Sequence, residues 1–174
     1  MLLTTNRLVL RPIEPRDTDA MFAIMRDPET MRFWDWPPVA SRDAVAGIVG
    51  RQAAETEGGT GYYWAVCMPP TDEVIGSCDL SEIDVQERRA EVGFLFRRTM
   101  WGQGFAFEAM QAIVVYGLGT LGLERLWARC HAGNQASVKL LERLGFTYEG
   151  TLKAHVVREG ARRDCLIFGM VRLP

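Results

Sequence analysis

The sequence is poor in residues that bind metals or cross-link chains. It has four cysteines, Cys67, Cys78, Cys130 and Cys165, and no two of them form a C-x-x-C pair. Their spacing suggests neither a zinc site nor a disulfide framework, so no metal is expected. Such low cysteine usage suits a reducing compartment, and the cytoplasm is the expected location. No apolar run comes near the roughly 20 residues that a membrane helix needs. Arg7 and Arg11 interrupt the opening "MLLTTNRLVLRP", which makes it a poor signal peptide. A membrane is therefore not an expected partner. An excess of one charge is also missing, since 20 basic and 22 acidic residues leave a net charge of −2. That excludes bulk attraction to nucleic acid, and any basic site must be local. There are no repeats, low-complexity runs or linkers, so residues 1–174 read as a single domain. A chain of this length buries roughly two-thirds of its unfolded surface.

What is present is a succession of strand and helix patterns. "RLVLRPI" (7–13) alternates and is rich in Leu, Val and Ile, as a strand is. "PRDTDAMFAIMRD" carries Ala20, Ala23 and Ile24 at helical spacing. Ser41 is a natural N-cap for a second helix over 41–55. Between these helices lies an aromatic loop, "MRFWDWPP". Strands are predicted at 61–68, 73–83 and 88–96, and the short turns between them predict an antiparallel meander. A helix is predicted from about 104 to 121, with Glu108 and Gln111 as its only strongly polar interior residues, and so well buried. Next come a strand at 125–131 and a helix over 134–145, capped by Asn134 and stopped by Gly145. A closing hairpin turns near Gly160 and ends in "RRDCLIFGMVRL". The order β-α-α-β-β-β-α-β-α-β-β predicts a mixed α/β domain.

The stretch "WGQGFAFEAM" (101–110) raises the question of function. Its glycines lead from a strand and a loop into a helix with no polar start. As a bare turn they need no ligand. As a Rossmann fingerprint they fail, because Phe107 stands where the third glycine belongs and antiparallel strands precede them. An anion cradle is the third reading. N–H groups at a helix N-terminus point outward with partial positive charge, and glycine lets a diphosphate approach the backbone. Arg97 and Arg98 lie just upstream and add positive charge. On these residues alone, turn and cradle both stay open.

Four segments together resemble the GNAT superfamily of acetyl-CoA-dependent N-acetyltransferases, in its RimJ/RimL-type branch. "TNRLVLRPIEPRD" resembles the branch's opening, and "WGQGFAFEAM" its cofactor loop, with Trp101 where the wider superfamily has Gln or Arg. "GNQASVKLLERLGFTYEG" resembles its Asn-x-x-Ser … Gly-Phe … Glu-Gly segment, and "GARRD" its closing Gly-x-x-x-Asp. The resemblance covers almost the whole chain. It implies the GNAT fold, with a V-shaped cleft between the fourth and fifth strands, here 88–96 and 125–131. It implies acetyl-CoA as co-substrate and an amine acceptor, either a protein N-terminus or a small amine. Members of the branch are often homodimers, a state the resemblance leaves open here.

Site residues follow from the same resemblance. The backbone of Phe94 and Phe96, with Leu95 between them, would run beside the pantetheine arm, and Arg97 would meet phosphate charge of the cofactor. Gly102, Gln103, Gly104, Phe105 and Ala106 would meet the pyrophosphate. Asn134 matches the asparagine that contacts pantetheine, and Ser137 matches a serine after it. Ser137 is the expected proton donor to the leaving thiolate, because the tyrosine used by many relatives is replaced here by Leu141. A glutamate linked to that serine in the ribosomal-protein enzymes is replaced by Val156. Phe33, Trp34 and Trp36 would border the acceptor site.

The acceptor amine must lose a proton before attack, since α-amines titrate at about 7.7–8.0 and lysine amines at about 10.4. Glu91 is the expected base, because strand alternation puts it on one face with Gly93 and Leu95. Asp79, Glu82 and Glu149 are the alternatives, and His131 and His155 are further candidates for catalysis. A non-catalytic CoA-binding sensor on the same scaffold is the competing function.

Overall fold

The computed structural model describes residues 1–172; Leu173, the last residue of the predicted closing strand, lies outside them. Strands β1 (Leu3–Thr4) and β2 (Val9–Pro12) form a small hairpin. Its turn is made by Thr5, whose N–H donates to the Leu8 carbonyl at 2.9 Å while its Oγ1 accepts the Leu8 N–H at 3.0 Å. The predicted first strand is thus shorter than 7–13, and a two-residue strand precedes it.

A 3-10 turn at Pro15–Asp17 leads into α1 (Thr18–Met25). Helix α2 (Arg42–Gly58) starts as expected, with Ser41 Oγ accepting the Ala44 N–H at 3.2 Å. The meander follows as β3 (Tyr62–Met68), β4 (Glu73–Asp84) and β5 (Arg89–Phe96). Helix α3 (Phe105–Val115) then widens into π-helical turns at Tyr116–Thr120, so regular α-helix stops short of residue 121. In that widened stretch Gly117 lies against the sheet, where a Cβ would meet Leu80 and Leu126 at 3.4 Å. The remaining elements are β6 (Arg125–His131), α4 (Gln135–Leu144), β7 (Thr147–Arg158) and β8 (Ala161–Val171).

All eight strands form one sheet in the order β1-β2-β3-β4-β5-β6-β8-β7. Its two faces carry separate cores. One packs Leu10, Trp64, Leu80, Val92 and Leu126 against Ala109, Met110 and Ile113 of α3 and Leu141 of α4. The other packs Ala65, Cys67 and Leu95 against Met21 and Ile24 of α1 and Val45 and Val49 of α2. Each fully buried large apolar side chain contributes about 1.5–3 kcal/mol. A buried ion pair fixes where α1 begins. Arg11 of β2 donates to both carboxylate oxygens of Asp17, at 2.7 and 2.9 Å, and its Nε reaches Asp72 at 3.1 Å.

The sheet opens at its centre. Strands β5 and β6 are parallel and pair only through Arg89, Ala90 and Glu91, opposite Arg125, Leu126 and Trp127. Beyond those pairs β5 continues against β4 as far as Phe96, and β6 against β8 as far as His131. Between residues 92–96 and 128–131 the facing edges have no strand partner. The result is the V-shaped parting expected between strands 88–96 and 125–131. Among the described residues, no helix is long and apolar enough to cross a membrane.

Candidate active site

Two cavities meet at this parting. The first, of about 450 Å³, is bounded by Phe94, Leu95 and Phe96 of β5, by the loop at Trp101, Gly102 and Gly104, and by the first turn of α3. Helix α3 has no side-chain cap. Gly104, the residue before it, has φ 81°, and Gly102 has φ 72°, a left-handed backbone that side-chain-bearing residues adopt only at a cost. The leading N–H groups of α3 are therefore left facing this cavity, as an anion site requires. Two basic residues on α4, Lys139 and Arg143, line the same space. They are one helical turn apart, and the Arg143 guanidinium lies 4.0 Å over the Phe107 ring.

The loop is clamped from the N-terminal hairpin. Arg7 Nε donates to Glu108 Oε2 at 2.7 Å, and its Nη1 donates to the Gln103 carbonyl at 3.0 Å. Thr5 Oγ1 and the Arg7 N–H both donate to Glu108 Oε1 at 2.7 Å. This explains the polar residue in an otherwise apolar helix.

The second cavity, of about 510 Å³, lies on the α1/α2 side of the sheet. Its floor is Tyr63, Asp79, Ser81, Glu91, Gly93 and Leu95, which strand pairing and alternation place on one face. Asp79 accepts a hydrogen bond from Ser81 Oγ at 3.1 Å, and its carboxylate lies over Gly93, where a Cβ would come within 2.6 Å of it. Burial raises both floor carboxyls, Asp79 to about 6 and Glu91 to about 7. For Glu91 the neighbouring Arg129 opposes that rise, while Glu82, Asp79 and Asp35 add to it.

Phe33, Trp34, Phe94, Leu95, Asn134 and Ser137 line both cavities and mark where they join. Asn134 Oδ1 accepts the Ser137 N–H at 3.2 Å, so it caps α4 and lines the site at once. Among the described residues, no hydrogen bond engages the Ser137 hydroxyl.

Most of the sequence-derived residues thus converge. Glu91 and Trp36 stand in the second cavity; Phe96, Gly102, Gly104, Phe105 and Ala106 stand in the first. Gln103 lines neither; its amide donates to the Thr99 carbonyl at 2.8 Å. Arg97 also lines neither. Its guanidinium is turned to Glu73 at 2.5 Å and to the Val74 carbonyl at 3.0 Å, on the far side of the strand end. Of the alternative bases, Asp79 is in the second cavity, whereas Glu82 and Glu149 are not. Glu149 is held below the usual carboxylate range by a two-pronged pairing with Arg125. His131 lines the second cavity; His155 stands behind it, 3.2 Å from Arg129.

Asp35 and Arg129 complete the second cavity and were not among the candidates. Asp35 lies between two tryptophans in the aromatic loop, and only its position between aromatics marks it in the sequence. Lys139 and Arg143 carry a clearer signal, basic residues four apart on a helix that follows a capping asparagine.

A family model described as an acetyltransferase (GNAT) domain matches residues 7–147. An uncharacterized N-acetyltransferase of Bacillus licheniformis, p20, is 32% identical over 170 residues, with 98% of this chain and 96% of that protein covered. The [ribosomal protein uS5]-alanine N-acetyltransferase of Escherichia coli is 30% identical over 172 residues, covering 93% of this chain and 86% of that protein. Among solved structures, RimL, a ribosomal L7/L12 alpha-N-protein acetyltransferase in complex with coenzyme A, superposes with a TM-score of 0.91. It is 20% identical and 98% of each chain is covered, a likeness of fold.

Proposed function

The chain belongs to the GNAT acetyltransferase family, and from that premise we propose that it moves an acetyl group from acetyl-CoA to a primary amine, with Glu91 as the base. The observation that carries this reading is the meeting of a cavity at the uncapped start of α3 and a carboxylate-floored cavity at the parting of β5 and β6.

The residues of the first cavity fit acetyl-CoA. The uncapped start of α3 and the glycines before it suit the pyrophosphate, Lys139 and Arg143 suit further phosphate charge, and the unpaired edge of β5 suits an extended amide-bearing arm. When bound, acetyl-CoA supplies an activated acetyl thioester. Every other part belongs to the chain. The Glu91 carboxylate takes the proton that the attacking ammonium must lose. A carboxyl that titrates at about 7 suits this task, since a base works best when its pKa lies near the working pH. The unpaired edge of β5 offers backbone N–H groups to the acetyl oxygen as charge builds on it; removing one such donor costs about 2.7–4 kcal/mol in other enzymes. Ser137, with a free hydroxyl at the junction of the cavities, passes a proton to the departing sulfur as the C–S bond breaks and regains the second proton that the nitrogen gives up, so it ends the step neutral. Phe33, Trp34 and Trp36 form the wall of the acceptor side.

A peptide N-terminus beginning with alanine is the first acceptor to try, on the strength of the uS5-alanine relative. Small primary amines follow.

Two measurements test the reading. Acetyl-CoA at 100 times its Kd should add about 2.7 kcal/mol of stability, a melting shift of several degrees that NAD does not give. Release of free thiol should then depend on an added amine. Its kcat/KM should rise with pH through about 7 as Glu91 loses its proton, and Glu91→Gln should lose about 100-fold and flatten that limb. Binding without thiol release for any amine would leave a CoA-binding sensor. No binding would reduce the glycine loop to a turn.

A further inference from the structure

The loop between α1 and α2 reaches across the acceptor cavity and is fastened on the other side. Asp35 Oδ2 accepts from Arg129 Nη2 at 2.8 Å, and Asp35 Oδ1 lies 2.9 Å from His131 Nε2. Nδ1 of His131 is buried without a partner. The hydrogen-bond network therefore puts the ring proton on Nε2, donating to Asp35. Asp35 is flanked by Trp34 and Trp36, whose ring centroids are 4.9 Å apart and which both line the cavity.

The fastening lies one step from the base. Trp127 is the register partner of Glu91 and belongs to the last pair before the strands part. Arg129 is the next residue on that face of β6. Its guanidinium would confront Glu91 with a full positive charge if nothing else neutralised it.

We propose that Asp35 is a positioning residue, which fastens the aromatic wall to β6 and masks Arg129, so that Glu91 works beside a neutralised guanidinium. The proposal rests on Glu91 being the base. The charged and titratable groups around Glu91 are Asp79 and Glu82 on β4, Arg129 and His131 on β6, Asp35 on the loop, and Arg51 of α2 and Tyr63 of β3 in the same cavity, while Glu55 of α2 acts on Asp79 and Tyr63. His155 of β7 touches Arg129 from behind. Among these groups Arg129 pulls the Glu91 carboxyl down, and Glu82, Asp79 and Asp35 push it up. Without Asp35 the downward pull remains and one counterweight is gone.

The test reads the Glu91 carboxyl directly. Protein carrying ¹³C-labelled glutamate is titrated by NMR, with the Glu91 signal assigned by its loss in Glu91→Gln. Asp35→Asn should lower the titration midpoint by about one pH unit, the low end of what an opposite charge within about 4–6 Å does to a carboxyl. Arg129→Met should raise it. The double variant should return close to wild type. A loop that merely loosened and let water in would lower the midpoint in all three. That pattern, or a midpoint unmoved by Asp35→Asn, overturns the proposal. The titration needs no turnover, so it fails or succeeds independently of the acetyl-transfer assay. A protein that gives the expected midpoints yet acetylates no amine would sink the proposed function and leave the masking of Arg129 standing.

Discussion

At the scale of single residues, the second cavity holds carboxyls whose burial works against folding. Asp79 keeps its proton up to about 6 in the folded chain, against an ordinary value of 3.8. Between those values the folded chain binds more protons than the unfolded one, so stability falls as pH rises through this window. Asp79→Asn should therefore stabilise the protein at pH 8, by about 1–2 kcal/mol once solvent screening of a half-buried group is allowed for. At pH 3 it should change little. Thermal melts of the two proteins at the two pH values check this, and an equal effect at both would show that charge is not the cause. Glu91, raised to about 7, has the same sign of dependence, so the floor of this cavity lowers stability as pH rises toward neutrality. The place of Glu91 on the cavity floor was legible in the sequence because strand alternation is local. Asp35 was not, because its partners Arg129 and His131 lie 94 and 96 residues away, and no spacing rule links them.

At the scale of elements, α4 shows how one residue can serve fold and site together. Asn134 caps the helix and lines both cavities. The two roles separate by substitution. Asn134→Ser keeps a good cap and should hold stability within a few tenths of a kcal/mol, whereas Asn134→Ala should cost about 1 kcal/mol. If the amide also contacts the CoA arm, both variants should bind acetyl-CoA more weakly than wild type. Retained affinity in the serine variant would reduce Asn134 to a cap. The helices, the meander and the closing hairpin were all readable from periodicity, caps and turns. Two details were not. The hairpin of β1 and β2 depends on a Thr5 turn too short to leave a pattern, and the end of α3 widens where Gly117 settles against Leu80 and Leu126. The turn of Arg97 toward Glu73 was equally hidden, since a basic residue beside a glycine loop reads the same whichever way it points.

At the scale of the molecule, a buried ion pair ties strand β2 to the start of α1. Arg11 bonds both oxygens of Asp17, whose carboxylate also accepts the Glu14 N–H at 2.8 Å. Arg11→Ala would leave Asp17 charged and buried, and should cost about 3–5 kcal/mol. Urea denaturation should show a lower midpoint with an unchanged slope. A loss below 1 kcal/mol would mean that water or Arg16 takes over. The order of strands and helices was legible because each helix carries its own apolar positions, whereas which helices share a face of the sheet emerges only from the two cores. The depth of the central cleft was not, since it depends on where pairing between β5 and β6 stops.

That stopping point gives the molecule a pivot. The sheet consists of two arms, β1 to β5 and β6 to β8 with β7, joined by three rungs at one end. Glu91 belongs to the last rung. In any such compass, a change of angle between the arms moves the tips most and the apex least. Phe96 and His131 stand toward the tips. On the proposed reading of Glu91 as the base, widening the mouth for a bulkier guest would displace that carboxylate least, so breadth of acceptor and constancy of chemistry would be compatible within one frame.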